Sequence, residues 1–153
     1  MKGVRSVLRA TSRLVDDVED GLAAVKKSHR GFIAEEIRES FADSLDLDEA
    51  TKKGHEREHR WDYLLGHDET AKVVGLEPHS AYTNEVSTVI EKRKNAIDQL
   101  EHHLKPGARI SDWFWVASGR VDFVPHDKQM MRLAKHGITF VGSKLLARHL
   151  KKK

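Results

Sequence analysis

The sequence predicts a mixed α/β domain, a small central mixed β-sheet flanked by helices. Three observations carry this: apolar stripes at helical spacing near both ends and the middle of the chain, short aromatic and β-branched runs between them, and the alternation of the two kinds. At 153 residues the chain suits one core, so residues 1–153 are read as a single domain.

Val4, Val7, Leu8, Leu14, Val15, Val18, Leu22 and Val25 recur at helical spacing with charges opposite, which predicts a long amphipathic helix over residues 4–25. The pattern breaks at 28–31 and restarts with Ile33, Ile37, Phe41 and Leu45, a second helix ending near the acidic stretch 43–49. The two are expected to pair as an N-terminal helical hairpin within residues 1–47. Its apolar surface exceeds what one small sheet needs, so a homodimer seam is expected there.

After the polar stretch 51–60, the runs 61–65 and 71–76 flank Gly66-His67-Asp68-Glu69-Thr70 and read as a β-hairpin. Thr83 or Asn84 caps a third helix with the stripe Val86, Val89, Ile90, Ile97, Leu100 and Leu104, stopped by Lys105-Pro106-Gly107. Residues 110–118, with Trp113, Phe114, Trp115 and Val116, read as a strand, and 121–124 as its hairpin partner. A short helix over 127–136, a turn at Gly137, a strand over 138–141 and a helix from Ser143 to about His149 complete the order. Residues 60–141 thus form the sheet-containing core, and 142–153 a basic helix and tail.

The absence of cysteine excludes disulfide scaffolds and thiolate metal sites and fits a reducing compartment, with the cytoplasm as the default. Residues 1–14 are interrupted by Lys2, Arg5, Arg9 and Arg13 and lack the apolar centre of a signal peptide, and no run reaches membrane-spanning length. Net charge is only +3, but residues 1–50 hold 8 basic and 11 acidic side chains whereas 128–153 hold 8 basic and none acidic. That basic end, with Lys144, Arg148, Lys151 and Lys152 as its contacts, is a candidate grip on phosphates; a solubilising tail is the competing account.

Asp62 lies inside the apolar run Trp61-Asp62-Tyr63-Leu64-Leu65, and Glu77 follows Val73-Val74-Gly75-Leu76. Carboxylates embedded in a sheet are costly unless paired or metal-bound. Side chains alternate along a strand, so Glu77 and His79 project to one side of Pro78 and Asp62 converges on them from the neighbouring strand. Two carboxylates and a basic group there can hold a magnesium ion and activate water against a phosphodiester. The competing account pairs Asp62 with Arg60 or another cation at a sheet edge and leaves Glu77 and His79 starting a solvated loop.

Asp62 and Glu77-Pro78-His79 resemble the motif of the PD-(D/E)XK nuclease superfamily, an acid on one strand followed by acid-x-lysine on the next and then a helix. The resemblance spans roughly residues 31–141. It implies a restriction-endonuclease-like fold, endonuclease activity dependent on Mg2+ or Mn2+, and nucleic acid as the partner, with DNA favoured over RNA. It also implies Asp62 and Glu77 as metal ligands joined by Glu36 from the preceding helix, with Glu35 or Glu39 as substitutes. Departures from the family pattern are His79 in place of lysine, Pro78 without its N–H, and two strands rather than three before the third helix. His79, or Lys92 from that helix, supplies the missing cation. A non-catalytic binding module on the same scaffold is the alternative.

His55-Glu56-Arg57-Glu58-His59 also matches H-E-x-x-H, in which two histidines one helical turn apart hold Zn2+ and the glutamate activates water. Gly54 and the charged Arg57, Glu58 and Arg60 favour a solvated turn. Trp113, Phe114 and Trp115 are read as core, and His102-His103 as cations at a helix C-terminus.

Overall fold

The computed structural model describes residues 3–123 and 127–151. Its centre is a six-stranded sheet in chain order: β1 (Glu19–Asp20), β2 (Phe41–Asp46), β3 (Tyr63–His67), β4 (Val73–Ala81), β5 (Asp112–Val121) and β6 (Ile138–Phe140). The first four strands run antiparallel, whereas β4, β5 and β6 are mutually parallel. Parallel neighbours need crossover connections, and helices supply them: α4 (Val86–Leu100) lies between β4 and β5, and α5 (Lys128–Lys135) between β5 and β6.

Alternation along the strands splits the core into two layers. Leu64, Val73, Trp113 and Trp115 face one side with Trp61, and α4 covers them with Val86, Val89, Ala96 and Leu100. Tyr63, Leu65, Val74, Leu76, Phe114 and Val116 face the other, beneath Ile33, Ile37, Leu145 and Leu150. Trp61 and Trp113 stack edge-to-face at 5.0 Å over Gly75, where a Cβ would fall 2.6 Å from the Trp113 ring and 2.8 Å from Trp61 Nε1. Glycine is required there because two indoles occupy the side-chain position.

The expected hairpin of residues 61–76 forms as β3 and β4, with Leu65 opposite Val74. The third helix forms from Val86 to Leu100, although Ile97 stays 43% exposed rather than joining its buried stripe. Residues 110–118 form most of β5; Val121 belongs to that strand, and Val124 of the expected 121–124 partner lies outside the described residues. Asp127 caps α5 by accepting from the Gln129 and Met130 N–H groups. The terminal helix is shorter than expected, α6 (Ala147–Leu150).

The N-terminal hairpin of helices does not form. Residues 4–25 contain only α1 (Val4–Val7), a 3₁₀ turn (Arg13–Asp17) and β1; the one-turn α2 (Lys27–Arg30) follows, residues 33–45 hold a 3₁₀ turn (Glu35–Ser40) running into β2, and the short α3 (Leu47–Thr51) comes after it. The helical spacing is an accident of burial from several directions. Leu8 bridges to Leu104 in extended form, while Val4, Leu8, Leu14 and Val18 all join the α4-side core. Phe41 and Leu45 fit a helix face equally well as a strand with an irregularity. Phe41 pairs with His67 and Asp43 with Gly66, so an extra residue between them turns Phe41 toward one layer and Leu45 toward the other. Tertiary packing overrides a weak local preference here. The apolar surface expected to form a dimer seam is consumed within the chain. Among the described residues, no helix is long and apolar enough to cross a membrane.

Candidate active site

Asp62 immediately precedes β3, and the pairing of Tyr63 with Leu76 sets it beside Glu77 of β4. Both lie on the α4 side of the sheet, as strand alternation requires. Glu77 is fully buried, and each of its oxygens is engaged. Oε1 accepts the Asp62 main-chain N–H at 2.9 Å, and Oε2 accepts from Lys92 Nζ at 2.5 Å, with His79 Nδ1 at 3.5 Å. His79 Nε2 meets Glu85 Oε2 at 3.0 Å, and the His79 carbonyl accepts from Trp115 Nε1 at 3.1 Å. Thus Asp62, Glu77, His79 and Lys92 are brought together, and Glu85, from the 3₁₀ turn Thr83–Glu85, completes the group.

Burial, then the charge of Glu77, pushes the Asp62 carboxyl up to about 7, with Lys92 opposing the rise. Among the described residues its carboxylate accepts no hydrogen bond. His79 is raised chiefly by its bond to Glu77, against burial, with Glu85 assisting. Lys92 is lowered by burial but raised by more through Glu77, so it stays an ammonium. The result is a buried carboxyl group held by the Lys92 ammonium and the His79 imidazole, beside a second carboxyl poised between its neutral and charged forms.

Pro78 sits opposite Val116, where β4 has run past the end of its pairing with β3. A missing N–H costs least where one flank of the strand is unpaired. Arg60 is held by Asp48 at 2.9 Å, so it does not pair with Asp62.

Glu36 is not part of this group. It stands exposed on the 3₁₀ turn over the opposite layer, on a cavity of about 420 Å³ shared with His67 and Lys151, and Glu35 and Glu39 are exposed on the same turn. The turn's one buried side chain, Ile37, anchors it to the wrong face of the sheet for a shared metal. Among the described residues, no group of three or more His, Asp or Glu side chains is arranged to hold a metal ion.

Residues 52–60 form turns rather than a helix, so His55 and His59 are not set one helical turn apart. His55 pairs with Glu58, and His59 stands 4.0 Å from Glu91. Lys144, Arg148 and Lys151 are exposed, flanking Leu145 and Leu150 of the far layer, away from Asp62 and Glu77; Lys152 lies outside the described residues.

Glu85 was not legible as a partner of His79, because the five intervening residues conceal a 3₁₀ turn that folds it back. Comparison with family models, curated proteins and solved structures gave no match.

Proposed function

We propose that the chain is a nuclease-like protein with a divergent PD-(D/E)XK-type site, hydrolysing phosphodiester bonds of nucleic acid with Mg2+ or Mn2+. The observation that carries the reading is the bond pattern of Glu77: a buried acid on one strand tied to Asp62 at the head of the next and to Lys92 on the following helix. The chain order adds support. Four antiparallel strands (β1 to β4) precede α4, and β5 then returns parallel to β4, so the antiparallel run before α4 is longer than the two strands legible in the sequence.

The donor set fits one hard cation rather than a three-carboxylate cage. Asp62 offers a carboxylate that no hydrogen bond among the described residues occupies, and Glu77 offers a second beside it. Two carboxylates suit a magnesium-like ion that retains several waters. Bound there, such an ion would polarise water and offset phosphate charge. Lys92 orients Glu77 and places a positive charge beside the reacting phosphate. His79, whose protonated form its contacts with Glu77 and Glu85 favour, can as an imidazolium give a proton to a leaving oxygen.

A second reading has its own support. Every oxygen of Glu77 is already engaged by the protein, as in a site that has become structural and left a binding module. In that case the exposed Lys144, Arg148 and Lys151 would contact nucleic-acid phosphates without chemistry.

The test is cleavage of plasmid DNA and of RNA with magnesium, manganese or zinc, using wild type and Asp62→Asn checked for native circular dichroism. Cutting that requires magnesium or manganese and falls at least a hundredfold in Asp62→Asn supports the nuclease. Folded wild-type protein that cuts neither DNA nor RNA with any of the three metals overturns it in favour of the binding module.

A further inference from the structure

Away from Glu77, at the C-terminal end of α4, lies a cavity of about 720 Å³, within the range of small-ligand sites. Its wall is braced rather than loose. Leu8 bridges to Leu104, the Lys105 N–H donates to the Val7 carbonyl at 2.9 Å, and Arg9 Nε donates to the Leu104 carbonyl at 2.8 Å.

Arg93 borders this cavity with a guanidinium that the protein does not satisfy. Its Cζ lies 5.7 Å from the centre of the Trp113 ring, and its buried Nε has no hydrogen-bond partner among the described residues. No carboxylate among the described residues is within ion-pair distance of it, although Asp98 and Glu101 line the same cavity. The head is also confined: a Cβ on Gly137 would fall 2.7 Å from its Nη2. A half-buried guanidinium without an anionic partner is costly, and because its Nε is closed to solvent, a planar anion in the cavity relieves that cost through the Nη groups.

We infer that this cavity binds a small organic monocarboxylate, its carboxylate gripped by Arg93 and its apolar body resting on Ile97, Leu104 and Ile110. The acidic pair Asp98 and Glu101 selects against a second negative charge, which disfavours polyphosphates. Apolar lining without other unpaired cations at depth calls for a hydrocarbon body rather than a bare inorganic anion. Lys105 and Arg109 stand exposed at the rim and attract the anion without holding it. This site is separate from the Glu77 group and stands whether or not that group is catalytic.

The experiment is calorimetric titration of the full chain with phenylacetate, 4-methylpentanoate, the neutral phenylacetamide, and inorganic phosphate. Phenylacetate or 4-methylpentanoate is expected to bind saturably, at least tenfold tighter than the amide or phosphate. Arg93→Met should weaken the acid tenfold or more and leave the amide unchanged. Ile97→Glu provides a second variant at a 43% exposed position, outside the buried core, and should reduce acid binding by charge repulsion. Lys27→Met, on the opposite side of the fold from the cavity, should change nothing. Saturable binding by neither acid overturns the assignment, as does equal binding of acid and amide, tighter binding of phosphate, or acid binding unchanged in both Arg93→Met and Ile97→Glu.

Discussion

Glu77 accepts the main-chain N–H of Asp62 at 2.9 Å through one oxygen while the other receives Lys92. One side chain therefore closes the open end of the β3–β4 ladder and neutralises a largely buried ammonium. The Asp62 carbonyl extends the network on the other side, accepting from the Leu47 N–H at 2.8 Å. The candidate site is consequently also a structural joint between the sheet and α4.

Removing one partner of a buried ion pair leaves an uncompensated charge, and such losses run to about 3–5 kcal/mol. Glu77→Ala should destabilise the fold by roughly that amount, measured as a fall in the urea midpoint at constant m-value. Replacing the pair together, Glu77→Leu with Lys92→Met, should recover more than half the loss, because no buried charge remains. A double variant no more stable than Glu77→Ala would show that the pair is held by more than mutual neutralisation.

The Asp62 carboxyl, raised to about 7 from the ordinary 3.8 of a free aspartate, gives a signed pH dependence. Between those values the folded state holds more protons than the unfolded state, so unfolding free energy falls as pH rises through the window. His79, also raised, contributes stability that is present below its unfolded pKa and lost as pH climbs through the folded one. The two slopes share a sign. Asp62→Asn should flatten the fall between pH 4 and 7 and leave the variant about 1–2 kcal/mol more stable than wild type at pH 8, a figure reduced for partial exposure. Carboxyl NMR separates the contributions: an Asp62 midpoint near 4 would remove the basis for this difference.

Burial patterning made the middle of the chain legible. Residues 61–76 and 86–100 carry unbroken runs or clean stripes whose period matches the final element. Asp62, Glu77, His79 and Lys92 were accessible for a related reason: ionisable groups amid apolar neighbours must find each other. Glu36 misled because its place depended on a helix that is really a 3₁₀ turn over the other layer. The first 45 residues resisted because they bury apolar groups against the sheet, α4 and the loop after it in turn. A one-dimensional period records that side chains are buried but not from which direction.

Asp43 supplies the remaining test, since it explains how so irregular an N-terminus is held. Its side chain is buried on β2, where Oδ1 accepts the Val4 N–H at 2.6 Å and Oδ2 the Arg5 N–H at 3.1 Å. The first turn of α1 thus finds its cap on a strand 39 residues away rather than in its own flanking sequence. Gly66, paired with Asp43 across β3, leaves room for this approach: a Cβ there would lie 2.3 Å from Gly3 Cα and 2.8 Å from the Val4 nitrogen. Backbone atoms cannot step aside as a flexible side-chain tip can, so Gly66→Ala must push the N-terminal segment off the sheet. The expected cost is about 1–3 kcal/mol, and Asp43→Ala should cost a similar amount by orphaning two N–H groups. Because both changes break the same docking, their combination should cost clearly less than the sum. Faster hydrogen exchange at Val4 and Arg5 in each single variant, with α4 amides unchanged, is the accompanying signature. Additive losses, or protection at Val4 and Arg5 unaltered by Gly66→Ala, would mean that the N-terminal segment is anchored chiefly by Leu8 and Leu14.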